Sequence, residues 1–242
     1  TIIVAGFGAE AVRHAALAHD PTAKVVEQKE QLGTGHAAAQ AREALAGYEG
    51  TVVVLFGDTP FVQPETLEAM VKAQADHAVV ILGFDAADPS RYGRLVMNGD
   101  TLERIVEYKD TTDEERAITL CNSGVLACSG PLLFELLDEL DNDNAAGEYY
   151  LPDVVSLARQ RGLGATVVRC DESETLGINS RAELAAAEAA FQERARRHAF
   201  EVGVTMPAPH TVHFAYDTVV GRDTVIEPNV VFAPGVTVES GV

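Results

Sequence analysis

Positive charge, cysteine and long apolar runs are all scarce in this chain of 242 residues. Its 18 Lys and Arg stand against 37 Asp and Glu, a formal net charge of -19. No basic face balances that surface, which argues against nucleic acid or an anionic membrane as a partner. An anionic ligand must then be held by local devices: a metal ion, backbone amides, a few Lys or Arg. The three cysteines, Cys121, Cys128 and Cys170, are odd in number and lie in apolar, strand-like stretches. They fit neither a disulfide framework nor a zinc motif, and read as reduced core residues of a cytoplasmic protein. No apolar run approaches the roughly 18 residues of a membrane span, and the start shows no signal peptide. Hydrophobic residues still make up 47%, enough for a normal core in one large domain or a domain plus a smaller piece.

Strand-like and helix-like stretches alternate from the start. Residues 1–5, 24–28, 52–56 and 78–84 are apolar and β-branched. Between them, residues 9–19, 35–46 and 64–75 read as helices, the last with Pro64 at its start, where proline is tolerated. That spacing predicts parallel βαβ units in a doubly wound α/β sheet. The pattern then changes. Residues 94–97 and 101–106 flank Asn98-Gly99 and read as a β-hairpin. Residues 121–128 and 165–169 read as strands, and residues 131–140 and 149–161 as helices. Residues 180–199 form a long, alanine-rich helix that opens on Ser180 and Glu183, a capping box. Leu184, Ala187 and Phe191 share one face of it, and it reads as an arm between two domains.

After Pro207 and Pro209 a period of six sets in. Val220, Ile226, Phe232 and Val238 recur in step, each followed by a small or acidic residue: Gly221, Glu227, Ala233 and Glu239. Thr224, Val230, Val236 and Val242 hold the fifth position of each unit. This is the signature of a hexapeptide β-helix, whose usual form is left-handed. The domains expected are residues 1–179, a linker helix over 180–206, and the start of a β-helix over 207–242. The repeats stop in mid-coil without a polar capping unit. No glycine-rich phosphate loop precedes the first strand. Both features predict a fragment of a longer protein.

Two segments point to chemistry. The strand over 52–56 ends in Gly57-Asp58, and in open α/β sheets ligands sit beyond the carboxyl ends of strands. Asp58 is thereby offered to a ligand, a metal ion in the first instance. Gly33-Thr34-Gly35 is a turn running into a helical stretch, with backbone N–H groups available to a nucleobase or phosphate. His36 reads as a first-turn helix residue rather than a base. Tyr149 and Tyr150 read either as a wall of a site or as core aromatics opening a helix. The acidic run over 110–115 reads as a solvated loop.

Seven motifs carry a resemblance in order along the chain: VVEQKEQLGTGHA (25–37), VVVLFGDTPF (52–61), YGRLV (92–96), IVEYKD (105–110), CNSG (121–124), DNAAGEYYLPD (143–153) and LGINSR (176–181). Together they resemble the bacterial bifunctional N-acetylglucosamine-1-phosphate uridyltransferase/glucosamine-1-phosphate acetyltransferases. The resemblance implies a Rossmann-like nucleotidyltransferase sheet, a linker helix and the start of a left-handed β-helix. It implies that UTP and N-acetylglucosamine 1-phosphate give UDP-N-acetylglucosamine and pyrophosphate, a product feeding peptidoglycan and lipopolysaccharide synthesis. Carried over by position, Gln28, Gly33 and Thr34 would hold the uracil. Phe56, Gly57 and Asp58 would line the site. Gly93, Glu107 and Asn122 would contact the sugar, and Asp58 with Asn179 would bind Mg²⁺. The family usually has Tyr where Phe56 stands and Thr where Ser123 stands. Acetyl-CoA-dependent acetylation and a homotrimer are implied only for the full-length protein.

The residue types suit this chemistry. Mg²⁺ accepts a carboxylate and a neutral oxygen alongside phosphate and water oxygens. Gln28 offers a donor and an acceptor to a uracil edge. Glu107 would accept from sugar hydroxyls, or else pair with Lys109 on a hairpin surface. Two other readings compete. One is a nucleotidylyltransferase for another sugar 1-phosphate, separable by sugar preference. The other is a non-catalytic trimeric β-helix module, whose behaviour an Asp58→Asn change would leave unaltered.

Overall fold

Runs of β-branched residues set the strands, and their alternation sets two core layers. The computed structural model describes residues 1–89, 92–144 and 146–242. It divides into two units, Thr1–Leu176 and Gly177–Val242. The first holds β1 (Ile2–Ala5), α1 (Ala9–His19), β2 (Lys24–Glu27), α2 (Thr34–Ala39), β3 (Thr51–Val54), α3 (Pro64–Gln74), β4 (Val79–Asp85), β5 (Arg94–Asn98), β6 (Thr101–Val106), α4 (Asp113–Arg116), β7 (Leu120–Ser129), α5 (Gly130–Leu137), α6 (Asp153–Gln160) and β8 (Ala165–Cys170).

The main sheet has six strands in the order β6-β5-β7-β4-β8, with β3 also paired to β7. Successive side chains of a strand leave on opposite faces. Val79, Ile81, Leu126, Cys128 and Ala165 therefore pack with Leu133, Leu136, Val154 and Val155 of α5 and α6. Val80, Leu82, Val125 and Ala127 pack with Met70 of α3 on the other face. Helices cover both faces, as a doubly wound sheet requires. The cysteines are free, and burial pushes the thiols of Cys128 and Cys170 up to about 12, so both are inert.

The topology departs from the expected run of parallel units. β4 and β8 are parallel, but β7 runs antiparallel to both β3 and β4 and lies between them. β1 and β2 pair parallel as a separate ladder. Local pattern reports strands and helices, but not that the strand after the hairpin returns into the centre of the sheet. The hairpin forms as read, although its loop falls on Gly99-Asp100 because Asn98 pairs with Thr101.

Two helices are shorter than their patterns. α2 ends at Ala39 and gives way to a short 3-10 turn over Glu43–Leu45. α6 starts at Asp153, not at residue 149. Leu151 precedes Pro152, which disfavours helical backbone at that point. The Tyr149 N–H and carbonyl and the Leu151 N–H are instead spent on the Gly33 turn.

The second unit opens with α7 (Arg181–Val202). Its capping box is half-realised. Ser180 Oγ accepts from the Glu183 N–H at 3.2 Å, but the Glu183 carboxylate accepts from the N–H of Asn179 rather than that of Ser180. The helix buries Ala187, Gln192 and Ala199, whereas Leu184 is exposed, so the expected stripe is only partly used. Beyond it, β9 (Val219–Val220) pairs parallel with β10 (Thr237–Val238), three hexapeptides further on. His213 bridges Val231 at the same offset, and the rings of Phe214 and Phe232 stack 5.4 Å apart. No helix among the described residues is long and apolar enough to cross a membrane.

Candidate active site

Three of the motifs meet as one rung of the main sheet. Arg94 of β5 is paired with Val106 of β6 on one side and Cys121 of β7 on the other. One residue further along, the same antiparallel registers align Glu107, Gly93 and Asn122. The Asn122 N–H donates to the Gly93 carbonyl at 2.8 Å. A Cβ on Gly93 would stand 3.2 Å from Glu107 Oε1, so the carboxylate lies over bare backbone. The three residues expected at the sugar thus share one face and one level, brought from distant sequence positions by strand pairing alone.

Beside this rung the β4–β7 ladder breaks. Ile81 faces Leu126, but Gly83 faces Asn122, so the CNSG motif forms a bulge. Its side chains repair the ladder. Ser123 Oγ donates to the Leu82 carbonyl at 2.7 Å and accepts from the Val125 N–H at 3.2 Å. Asn122 Oδ1 accepts from the Gly124 N–H at 2.9 Å. Three backbone groups at the bulge, the Leu82 carbonyl and the N–H groups of Gly124 and Val125, thus meet a side chain, as burial demands. Gly124 sits at φ +88°, and a Cβ there would collide with the Phe56 ring. Phe56 follows β3, which pairs with β7 up to Val54↔Leu126. Its ring therefore lies where continued register puts it, with one edge against Gly124 of the bulge.

Two residues beyond Phe56, Asp58 stands exposed past the carboxyl end of β3, with no hydrogen bond or ion pair among the described residues. Thr59 closes the turn, its N–H and hydroxyl both donating to the Phe56 carbonyl. Gly57 is exposed, and a Cβ there would meet nothing. Asn179 belongs to the second unit, exposed just ahead of α7.

Gln28, Gly33 and Thr34 lie together in a second cluster. Gln28 follows β2 and is buried. Its Nε2 donates to the Gly33 carbonyl at 3.2 Å and lies 3.0 Å from His36 Nδ1. The amide's donor is thus engaged inside the protein, while Oε1 accepts from no donor among the described residues. The turn is laced to residues 149–151. Gly35 N–H donates to the Tyr149 carbonyl, Tyr149 N–H to the Leu32 carbonyl, and Leu151 N–H to Thr34 Oγ1, at 2.8 to 3.0 Å. A Cβ on Gly33, at φ +108°, would lie 2.6 Å from the Tyr149 carbonyl oxygen. Two of the groups expected to face a ligand, the Gly35 amide and the Thr34 hydroxyl, are therefore committed to the scaffold. His36 lies between Gln28 and Gln40 and, among the described residues, has no acidic partner.

The electrostatics are acidic. Burial raises the Glu107 carboxyl above its ordinary 4.5, and Asp110 and Asp153 add to the shift. Burial likewise raises Asp153, with Asp141 adding to it. Glu107 as a residue is exposed, with its carboxyl end beside the Gly93 backbone. Burial also raises the Tyr150 hydroxyl, and Glu148 and Glu107 contribute. Lys109 makes no ion pair with Glu107 among the described residues, so the plain surface pair is not what forms. Asp153 and Arg94 were not singled out by sequence. For Arg94 the available signal was a lone cation opening an apolar strand.

Residues 1–199 match the MobA-like NTP transferase domain. The chain is 73% identical over 232 residues to the "Bifunctional protein GlmU" of Roseobacter denitrificans, covering 96% of this chain and 52% of that protein. The protein of the same name from Jannaschia sp. is 59% identical over 240 residues, covering 99% and 53%. The chain spans about half the length of the curated relatives it matches. Among solved structures it is similar to a UDP-glucose pyrophosphorylase complexed with UDP-glucose, with a TM-score of 0.57, 20% identity and 80% of each chain covered. It is also similar to a nucleoside-diphosphate-sugar pyrophosphorylase from Vibrio cholerae, with a TM-score of 0.59, 16% identity, and 76% and 78% covered. These likenesses show the fold, a nucleotidyltransferase sheet. Residue motifs, sheet architecture and the match over residues 1–199 agree: the chain belongs to the MobA-like NTP transferase family.

Proposed function

We propose that this chain is the uridylyl-transferring part of a UDP-N-acetylglucosamine diphosphorylase. A phosphate oxygen of N-acetylglucosamine 1-phosphate attacks the α-phosphorus of UTP. A new P–O bond forms as the α–β bond breaks, and pyrophosphate leaves with the electron pair. Such transfer depends on positioning and charge neutralisation rather than on a covalent intermediate. The observation that carries this reading is the Glu107–Gly93–Asn122 rung, set beside the strand end that presents Asp58. Glu107 and Asn122 accept from and donate to sugar hydroxyls across the open backbone of Gly93. Phe56 and Gly57 form the floor beneath the reacting phosphate. Gln28 Oε1 accepts from the uracil N–H, while Gly33 and Thr34 fix the turn that holds Gln28.

Asp58 suits Mg²⁺ as a ligand, since its exposed carboxylate is claimed by no partner among the described residues. Asn179 would add a neutral amide oxygen. Bound there, Mg²⁺ would offset the negative charge of the triphosphate, which an acidic protein with few cations does not do by itself. The relatives' name supports two activities in the whole protein. The second would be acetyl-CoA-dependent acetylation of glucosamine 1-phosphate. The parallel stacking of β9 on β10 supports the start of a left-handed β-helix, which in the whole protein would assemble as a homotrimer. We place the protein in the cytoplasm.

The test is pyrophosphate release, in the protein as its organism makes it, with UTP, N-acetylglucosamine 1-phosphate and Mg²⁺. Release should require all three, and Asp58→Asn should lower it by about a hundredfold or more. Equal turnover with glucose 1-phosphate would overturn the sugar assignment. No release with any sugar phosphate would overturn the enzyme reading.

A further inference from the structure

Arg94 is the most deeply buried cation described, at 1% exposure. Its guanidinium cannot shed its proton, and burying such a charge is costly unless a partner compensates. Among the described residues it makes no ion pair, and its Nε has no hydrogen-bond partner. What it holds is backbone and ring. Nη1 donates to the carbonyl of Tyr92, and the guanidinium lies over the Tyr108 ring, 5.8 Å from the centroid. Arg116 lies against the same ring at 6.0 Å. Tyr92 packs edge-on against Phe84 with centroids 4.9 Å apart. The Arg94 charge also reaches the Cys121 thiol, pulling down a pKa that burial raises.

Each group that Arg94 holds is the chain neighbour of a residue in the rung. Tyr92 precedes Gly93, Tyr108 follows Glu107, and Cys121 precedes Asn122. Side chains alternate along a strand, so that of Arg94 leaves on the face opposite to the rung. One buried guanidinium thus lies beneath the rung and ties down all three of its strands. A packed apolar residue would serve stability alone at lower cost.

We propose that Arg94 is a positioning residue for the sugar end of the site, fixing Gly93, Glu107 and Asn122 at one level without touching the ligand. This rests on the reading of that rung as the sugar-phosphate contact.

The experiment is steady-state kinetics of Arg94→Met and Arg94→Lys in the protein as its organism makes it, with each substrate varied in turn. Arg94→Met should raise KM for N-acetylglucosamine 1-phosphate about tenfold and leave KM for UTP within about twofold. Arg94→Lys keeps the charge but loses the planar fork, and should recover part of that loss. If Arg94→Met fails to fold, Tyr108→Leu removes the ring clamp from a partly exposed position, and the same split between the two KM values is expected. Equal rises in both KM values would reduce Arg94 to a packing role and overturn the proposal. Unchanged KM values would do the same. A wild-type protein that turns over while the variants match it sinks only this inference. A wild-type protein that turns over no sugar phosphate sinks the rung's assignment and this inference with it.

Discussion

The two halves of the candidate site are held by different means. The Glu107–Gly93–Asn122 rung is set by strand register, so its backbone is fixed by ladders that continue on both sides. The Gln28–Gly33–Thr34 cluster lies between a strand end, a turn and a loop, and is fixed by individual hydrogen bonds to residues 149–151. At the rung, Asn122 Oδ1 is committed to the Gly124 N–H, but the Glu107 carboxylate and Asn122 Nδ2 have no protein partner among the described residues. Motif residues at the turn are largely consumed in holding the turn together. The same degree of resemblance to a binding motif thus carries different physical content in the two places.

Paired alanine substitutions break the comparison most directly. Gly33→Ala places a Cβ 2.6 Å from a backbone oxygen at φ +108°, where nothing flexible can move aside. A destabilisation of about 2–4 kcal/mol is expected in urea unfolding, with loss of UTP binding. Gly93→Ala places its Cβ 3.2 Å from the end of a Glu side chain, which can swing away. Stability should fall by less than about 1 kcal/mol, while KM for the sugar phosphate rises. Equal destabilisation by both would mean that the rung is as tightly committed as the turn.

The same contrast explains what was legible in the sequence. β-branched runs and the periodicity of α1 and α3 marked their elements to within a residue or so, because burial on one face dictates side-chain type locally. The rung residues were legible only through the resemblance, since a Glu at a strand end or an Asn after a Cys has no local signature. The central, antiparallel place of β7 was not legible, because pairing between strands far apart in sequence leaves no trace in either strand's own pattern. The helix expected from residue 149 failed for the reason that makes that loop important. The Tyr149 N–H and carbonyl and the Leu151 N–H are spent on the Gly33 turn, a tertiary demand that overrides helical periodicity. Arg94 escaped notice because a cation beside apolar residues reads as an exposed strand end, whereas it is buried beneath the site.

A smaller effect sharpens the turn's side of the comparison. Thr34→Val keeps shape but removes the acceptor for the Leu151 N–H. A loss of about 1–2 kcal/mol is expected, the cost of leaving that donor unpaired. Amide exchange at Leu151 should quicken while exchange within the β4–β7 ladder does not change. Unaltered exchange at Leu151 would show that the loop is held by other contacts.

The smallest effect expected lies at the rung, in how Glu107 responds to pH. Burial beside Gly93, with Asp110 and Asp153 near, holds its carboxyl above the ordinary 4.5. The folded state therefore favours the protonated acid. That contribution to stability is present below about pH 4.5 and is lost as pH rises through the elevated value. At neutral pH the ionised carboxylate works against the fold, and a neutral isostere relieves the strain. Glu107→Gln should accordingly raise the melting temperature slightly at about pH 7, and the gain should vanish near pH 4. Asp153, raised by its own burial and by Asp141, remains in the variant, so the difference between the two proteins reports Glu107 together with its repulsion by Asp110 and Asp153. A carboxylate that the fold disfavours is one whose donors come from outside it, as sugar hydroxyls would. A lower melting temperature for Glu107→Gln at neutral pH would mean that the fold itself supplies those donors. The rung would then be a structural tie, like the Gly33 turn, and not a recognition surface.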